Sequence, residues 1–162
     1  MSVKLYRPCV RVIPIKGKKV YIGKKLFEGK LIFEFPGGGI DKGMTAEQAV
    51  VEEAREEAGL LLRDLVRLGI VFKYERDKPF DRDGVTYVGG EDTWFMATFD
   101  KVDKRVYDSQ GDGMQMMLVS IDEARRLLVS VGYDEFTRVK LEALEKVRSL
   151  IDNRHANALE NW

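Results

Sequence analysis

The chain has one cysteine, one histidine, four prolines and no net charge among 162 residues. Cys9 has no partner for an internal disulfide and fits a reducing compartment. His155 has no matching ligand and receives no metal or catalytic role. Few prolines with 44% hydrophobic residues point to a globular chain rather than a disordered one. The even balance of 27 basic and 27 acidic residues gives no general attraction to nucleic acid or to a membrane, so neither is an expected partner. No apolar run approaches the roughly 20 residues of a bilayer span. The start MSVKLYRPCV lacks the unbroken apolar segment of a signal peptide. The expectation is a soluble, cytoplasmic protein.

The length suits one domain with a substantial core over residues 1–152, leaving 153–162 as a C-terminal tail. No repeat or low-complexity segment interrupts it. Alternation predicts strands over 10–15 and 19–23 around a Lys-Gly-Lys turn, then over 31–35, 66–74, 85–88, 93–99 and 116–119. A helix is predicted over 45–58, with Thr45 as N-cap and Gly59 as the glycine beyond its end. Two more follow, over 121–129 with Ser120 as cap, and over 134–151. The last carries an apolar stripe of Phe136, Val139, Leu141, Leu144, Val147 and Leu150. The stretch 74–90 is charged, carries the turn signal Asp81-Arg82-Asp83-Gly84, and reads as a long loop or flap facing a substrate.

Charge is unevenly placed. Residues 1–35 hold nine Lys or Arg against Glu28 and Glu34, whereas the segment PGGGIDKGMTAEQAVVEEAREEAGL packs five glutamates into eleven residues. On a helix Glu53, Glu56 and Glu57 stand at i, i+3 and i+4, so their carboxylates share a face and repel, with Arg55 alone inside the cluster. A cation would relieve that repulsion. Mg²⁺ and Mn²⁺ favour oxygen ligands, and Mg²⁺ is commonly held by carboxylates together with substrate phosphates. Gly37, Gly38 and Gly39, just before the helix, offer side-chain-free space for a phosphate chain.

Two other motifs fail. Residues 38–45 have P-loop spacing, but Met44 occupies the lysine position. Asp81-x-Asp83-Gly84 has the middle of a calcium loop, yet its first and twelfth positions would be Pro79 and Gly90.

Residues 38–60 do resemble the box of the Nudix family: a glycine, five residues, a glutamate, seven residues, then R-E-U-x-E-E-x-G-U with U aliphatic. Glu53, Glu56, Glu57, Gly59 and Leu60 match, and Phe35-Pro36-Gly37 and the strand bearing Trp94 are similar to the family as well. Two positions depart from the pattern, Met44 for the first glutamate and Glu52 for the arginine. The loss of both looks like the removal of a partnered pair. Glu52, at i to Glu56 at i+4, could pair with a nearby cation or add a further carboxylate to the metal site.

The resemblance implies an α/β fold, a Nudix-like α/β/α sandwich with a mixed β-sheet, over about residues 3–150. It also implies metal-assisted hydrolysis of a diphosphate bond in a nucleoside diphosphate linked to another group. Glu53, Glu56 and Glu57 would hold Mg²⁺ or Mn²⁺. Glu56, Glu57 and Asp112, between Gly111 and Gly113, compete as proton acceptor, with Glu91 and Asp92 behind them. Phe27, Phe33, Phe72, Tyr74, Phe80 and Tyr87 are candidates for stacking on a base. Dimers are common in the family, so a homodimer is open, although no segment marks an interface. The competing readings are a silent Nudix-fold module that binds a nucleotide or a protein, and a binder of RNA ends.

Overall fold

The computed structural model describes residues 3–102 and 114–160. At its centre β1 (Tyr6–Lys16) runs parallel to β6 (Val85–Val102), in register from Tyr6↔Gly89 to Ile15↔Thr98. The other pairings of the seven-stranded sheet are antiparallel: β2 (Lys19–Phe27) with β1, β3 (Lys30–Glu34) and β7 (Gln115–Ser120), β4 (Gly37–Gly39) with β1, and β5 (Leu60–Arg82) with β6. The sheet is therefore mixed.

Strand alternation divides the core into two layers. Val10 and Val12 turn to the face covered by α1 (Ala46–Ala58), where they meet Ala49, Val50, Ala54 and Ala58. Ile13 and Ile15 belong to the opposite layer, with Trp94 and Met96, under α2 (Ile121–Ser130) and α3 (Glu135–Glu160). This is the α/β/α arrangement that the Nudix resemblance implies. In α3 the buried line is Val139, Ala143, Leu144, Val147 and Ile151, while Leu141 and Leu150 are half-buried and Phe136 lies at the exposed rim. Small Ala143 sits in that line because it faces the sheet, which a reading by apolar size passes over.

Three expectations change. The segments 85–88 and 93–99 are one continuous strand, and 66–74 is the middle of a much longer one. The stretch 74–90 is no loop: Phe80↔Tyr87, Asp81↔Thr86 and Arg82↔Val85 pair as a two-stranded ribbon, turned by Asp83 at φ 51° and Gly84 at φ 78°. Two left-handed residues in succession suit the twist of a tight hairpin. With little core beneath it the ribbon needs no apolar alternation, which is why its charges read as a loop. Its end bends back on the segment before α1, where an Arg82 guanidinium nitrogen lies 3.5 Å from Asp41. Lastly, α3 continues to Glu160, through much of the expected tail. Among the described residues no helix is long and apolar enough to cross a membrane.

Candidate functional site

Helix α1 starts and stops on its own sequence signals. Thr45 Oγ1 accepts from the Gln48 N–H at 3.1 Å, and Gln48 Oε1 accepts from the Thr45 N–H at 2.9 Å. Gly59, at φ 67°, closes the last turn by donating its N–H to the Ala54 and Arg55 carbonyls. Four small apolar residues fix the inner face on the sheet, and this fixes where the glutamates emerge.

Strand β4 shows why three consecutive glycines precede the helix. Its register with β1 is Cys9↔Gly39, Val10↔Gly38 and Arg11↔Gly37. A Cβ at Gly38 would meet the Glu53 carboxylate at 2.5 Å, one at Gly37 would meet the Val10 carbonyl oxygen and then Arg11, and one at Gly39 would collide with the Arg7 guanidinium. The Gly37 N–H donates to Glu57 Oε2 at 3.1 Å. The glycines therefore seat the protein's own charged side chains, acidic from α1 and basic from β1.

Glu53, Glu56 and Glu57 line one cavity of about 370 Å³ together with Lys25, Leu26, Phe27 and Met114. Cationic support is distant: Lys25 Nζ is 3.9 Å from Glu57, and Arg55 is 3.9 Å from Glu56. Burial, with added repulsion from Glu56, Glu57, Asp41 and Glu52, raises the Glu53 carboxyl to about 7. Burial and a hydrogen-bonding Glu52, one turn earlier on α1, raise Glu56. Burial raises Glu57 as well, against the opposing pull of the Gly37 N–H, Arg11 and Lys25.

An all-carboxylate donor set with too little countercharge fits a hard divalent cation in chemistry. Among the described residues, no three acidic, histidine or cysteine side chains are already gathered in ligating geometry. Glu57 is held by the Gly37 N–H, Glu56 has Glu52 as neighbour and Glu53 lies over Gly38, so the three are not gathered around one point.

The remaining candidates part company. Glu91 pairs with Lys73 at 3.5 Å. Asp92 is buried in the layer away from α1, beside Arg11, and burial raises its carboxyl. Asp112 lies outside the described residues. Met44 and Glu52 line a second, open cavity of about 820 Å³ along α1, with Val51, Arg55 and Leu65. Sequence reasoning missed Arg7, Arg11 and Lys25 as individual residues. For Arg7 and Arg11 the signal was the alternation of β1 against the glycines, and for Lys25 its place on β2; both appear only once the register is known.

The NUDIX domain family matches residues 5–139. An RNA pyrophosphohydrolase of Campylobacter jejuni subsp. doylei is 25% identical over 159 residues, covering 95% of this chain and 88% of the relative. One from Wolbachia pipientis subsp. Culex pipiens is 32% identical over 108 residues, 64% of this chain and 65% of the relative. Among solved structures, a Nudix hydrolase from Nitrosomonas europaea superposes with a TM-score of 0.68 at 18% identity, over 90% of both chains. An ADP compounds hydrolase does so with a TM-score of 0.67 at 19% identity, over 93% of this chain and 76% of the other. With the family matched over most of its length, its box on α1 and its fold shared, the chain belongs to the Nudix hydrolase family.

Proposed function

We propose that the chain is a Mg²⁺- or Mn²⁺-dependent pyrophosphohydrolase that cleaves the diphosphate bond of a nucleoside diphosphate linked to another group. The observation that carries this reading is the single cavity in which Glu53, Glu56 and Glu57 stand short of countercharge. Glu53, seated over Gly38, and Glu57, oriented by the Gly37 N–H, are the principal ligands, with Glu56 beside them. A divalent ion there would neutralise the diphosphate and bring the pKa of a bound water toward neutrality. Glu56, the most exposed of the three, has a raised pKa that suits it to accept the proton of the attacking water. Lys25 at the wall faces the incoming anion, and Asp112 is the competing proton acceptor.

A second reading, a pyrophosphate group carried on RNA, is favoured by the two relatives named as RNA pyrophosphohydrolases. The test is a hydrolysis screen with Mg²⁺ and with Mn²⁺ over nucleoside triphosphates, ADP-ribose, dinucleoside polyphosphates, nucleotide sugars, dinucleotide cofactors and triphosphorylated RNA. Glu56→Gln and Asp112→Asn serve as controls. Metal-dependent cleavage lost in Glu56→Gln supports the proposal and names the substrate class. Nucleotide binding without any cleavage would mean that Met44 and Glu52 mark a site turned from catalysis to recognition.

A further inference from the structure

The end of β2 forms one wall of the glutamate cavity, and the strand changes character along its length. Tyr21 is packed in the layer beneath α1 and stacks on Phe99 with ring centroids 5.1 Å apart. Gly23 follows, covered by the Met114 side chain. Lys25 stands 3.9 Å from Glu57. Phe27 comes next on the same face by strand alternation, at the rim of the cavity and 57% exposed. Leu26, which also borders the cavity, pairs with Leu31 across the hairpin. The turn beyond Phe27 is fixed by Glu28 at φ 51° and Gly29 at φ 78°, a conformation that holds the two strands in tight register.

Every other aromatic candidate has a partner. Phe80 packs on Tyr87 and under Arg76, and Phe72 and Tyr74 pack on each other and on Phe136. Phe33 is buried in the core. Among the described residues, no ring or cation packs on Phe27. An open aromatic face thus stands two residues beyond Lys25, a step of about 7 Å along a strand. That is the scale on which a ribose separates a phosphate from its base.

We propose that Phe27 is a specificity-determining residue of this site, the platform on which the nucleobase of the substrate stacks while the diphosphate lies against Lys25 and the three glutamates. This rests on the reading above that the cavity accepts a diphosphate, and it adds where the base goes. Stacking on an aromatic face tolerates any base, so Phe27 would separate nucleotides from base-free phosphates rather than one base from another.

The test is calorimetric titration of ADP and of inorganic pyrophosphate into the wild type, Phe27→Ala and Phe27→Trp. Ca²⁺ replaces Mg²⁺ so that turnover does not intervene. The expected result is about a tenfold loss of ADP affinity in Phe27→Ala, unchanged pyrophosphate affinity, and recovery of ADP binding in Phe27→Trp. Equal losses for both ligands, unaltered ADP binding in Phe27→Ala, or no ADP binding by the wild type would overturn the proposal. In the hydrolysis screen Phe27→Ala should raise KM for nucleotides and leave kcat in place. Normal KM in Phe27→Ala beside an inactive Glu56→Gln would remove the platform and keep the hydrolase; ADP binding that needs Phe27, in a protein that cleaves nothing, would do the reverse.

Discussion

Glu34 and Glu57 are two carboxylates of similar exposure, 15% and 19%, whose surroundings treat them oppositely. Around Glu34, Arg11 stands at 3.7 Å and Lys140 at 3.2 Å, and the Phe35 N–H donates at 3.0 Å. Burial pushes its pKa up, yet these partners overcome it and hold it below the ordinary value. Glu57 has one backbone donor at 3.1 Å and its nearest lysine at 3.9 Å, and burial wins. Close cations decide the difference. The Glu34 cluster is electrically complete and holds β1, β3 and α3 together, whereas the Glu53, Glu56 and Glu57 cluster is left short of positive charge.

Breaking each side should therefore show in a different measurement. Glu57→Gln is expected to reduce metal-dependent turnover by about two orders of magnitude or more, with little change in the urea midpoint of the metal-free protein. Loss of stability with normal turnover would reverse the two roles. Glu34→Gln leaves Arg11 and Lys140 without their shared anion and should lower unfolding free energy by about 3 kcal/mol, read by urea denaturation, while the folded fraction still turns over.

The pH dependence sharpens the contrast. Glu53 is protonated in the folded, metal-free chain up to about pH 7, against an ordinary glutamate value of 4.5. The folded state therefore binds the extra proton between those values, and stability falls as pH rises through them. Glu53→Gln removes that loss, so its stability relative to wild type, measured in EDTA, should improve from pH 5 to pH 8. Glu34 has the opposite sign: its pKa is lowered, so its contribution is present above the ordinary carboxylate value and is lost on acidification. The smallest effect is expected from Met44→Glu with Glu52→Arg, which should keep or modestly raise turnover. Complete loss would show that Glu52, already beside Glu56, works as a ligand.

Local rules made much of this readable in advance. The Thr45 cap, the Gly59 stop and the spacing of the three glutamates are written within a few residues of one another, and the helix follows them. The role of β4 was hidden because glycine triplets carry no strand propensity, and only pairing with β1 shows that Gly37 makes room for the Val10 carbonyl and Arg11, Gly38 for Glu53 and Gly39 for Arg7. Lys25 was one lysine among many until the β2–β3 hairpin set it beside Glu57. The ribbon 74–90 escaped for a related reason, since its strands pair with each other rather than burying a face that would show as alternation.

The most direct test of the central claim is calorimetric titration of Mn²⁺ into the wild type, Glu34→Gln and Glu57→Gln near neutral pH. Saturable binding to the wild type is expected, with closely similar affinity in Glu34→Gln and affinity weakened by about tenfold or more in Glu57→Gln. Equal affinity in all three proteins, or no binding to the wild type, would contradict that claim.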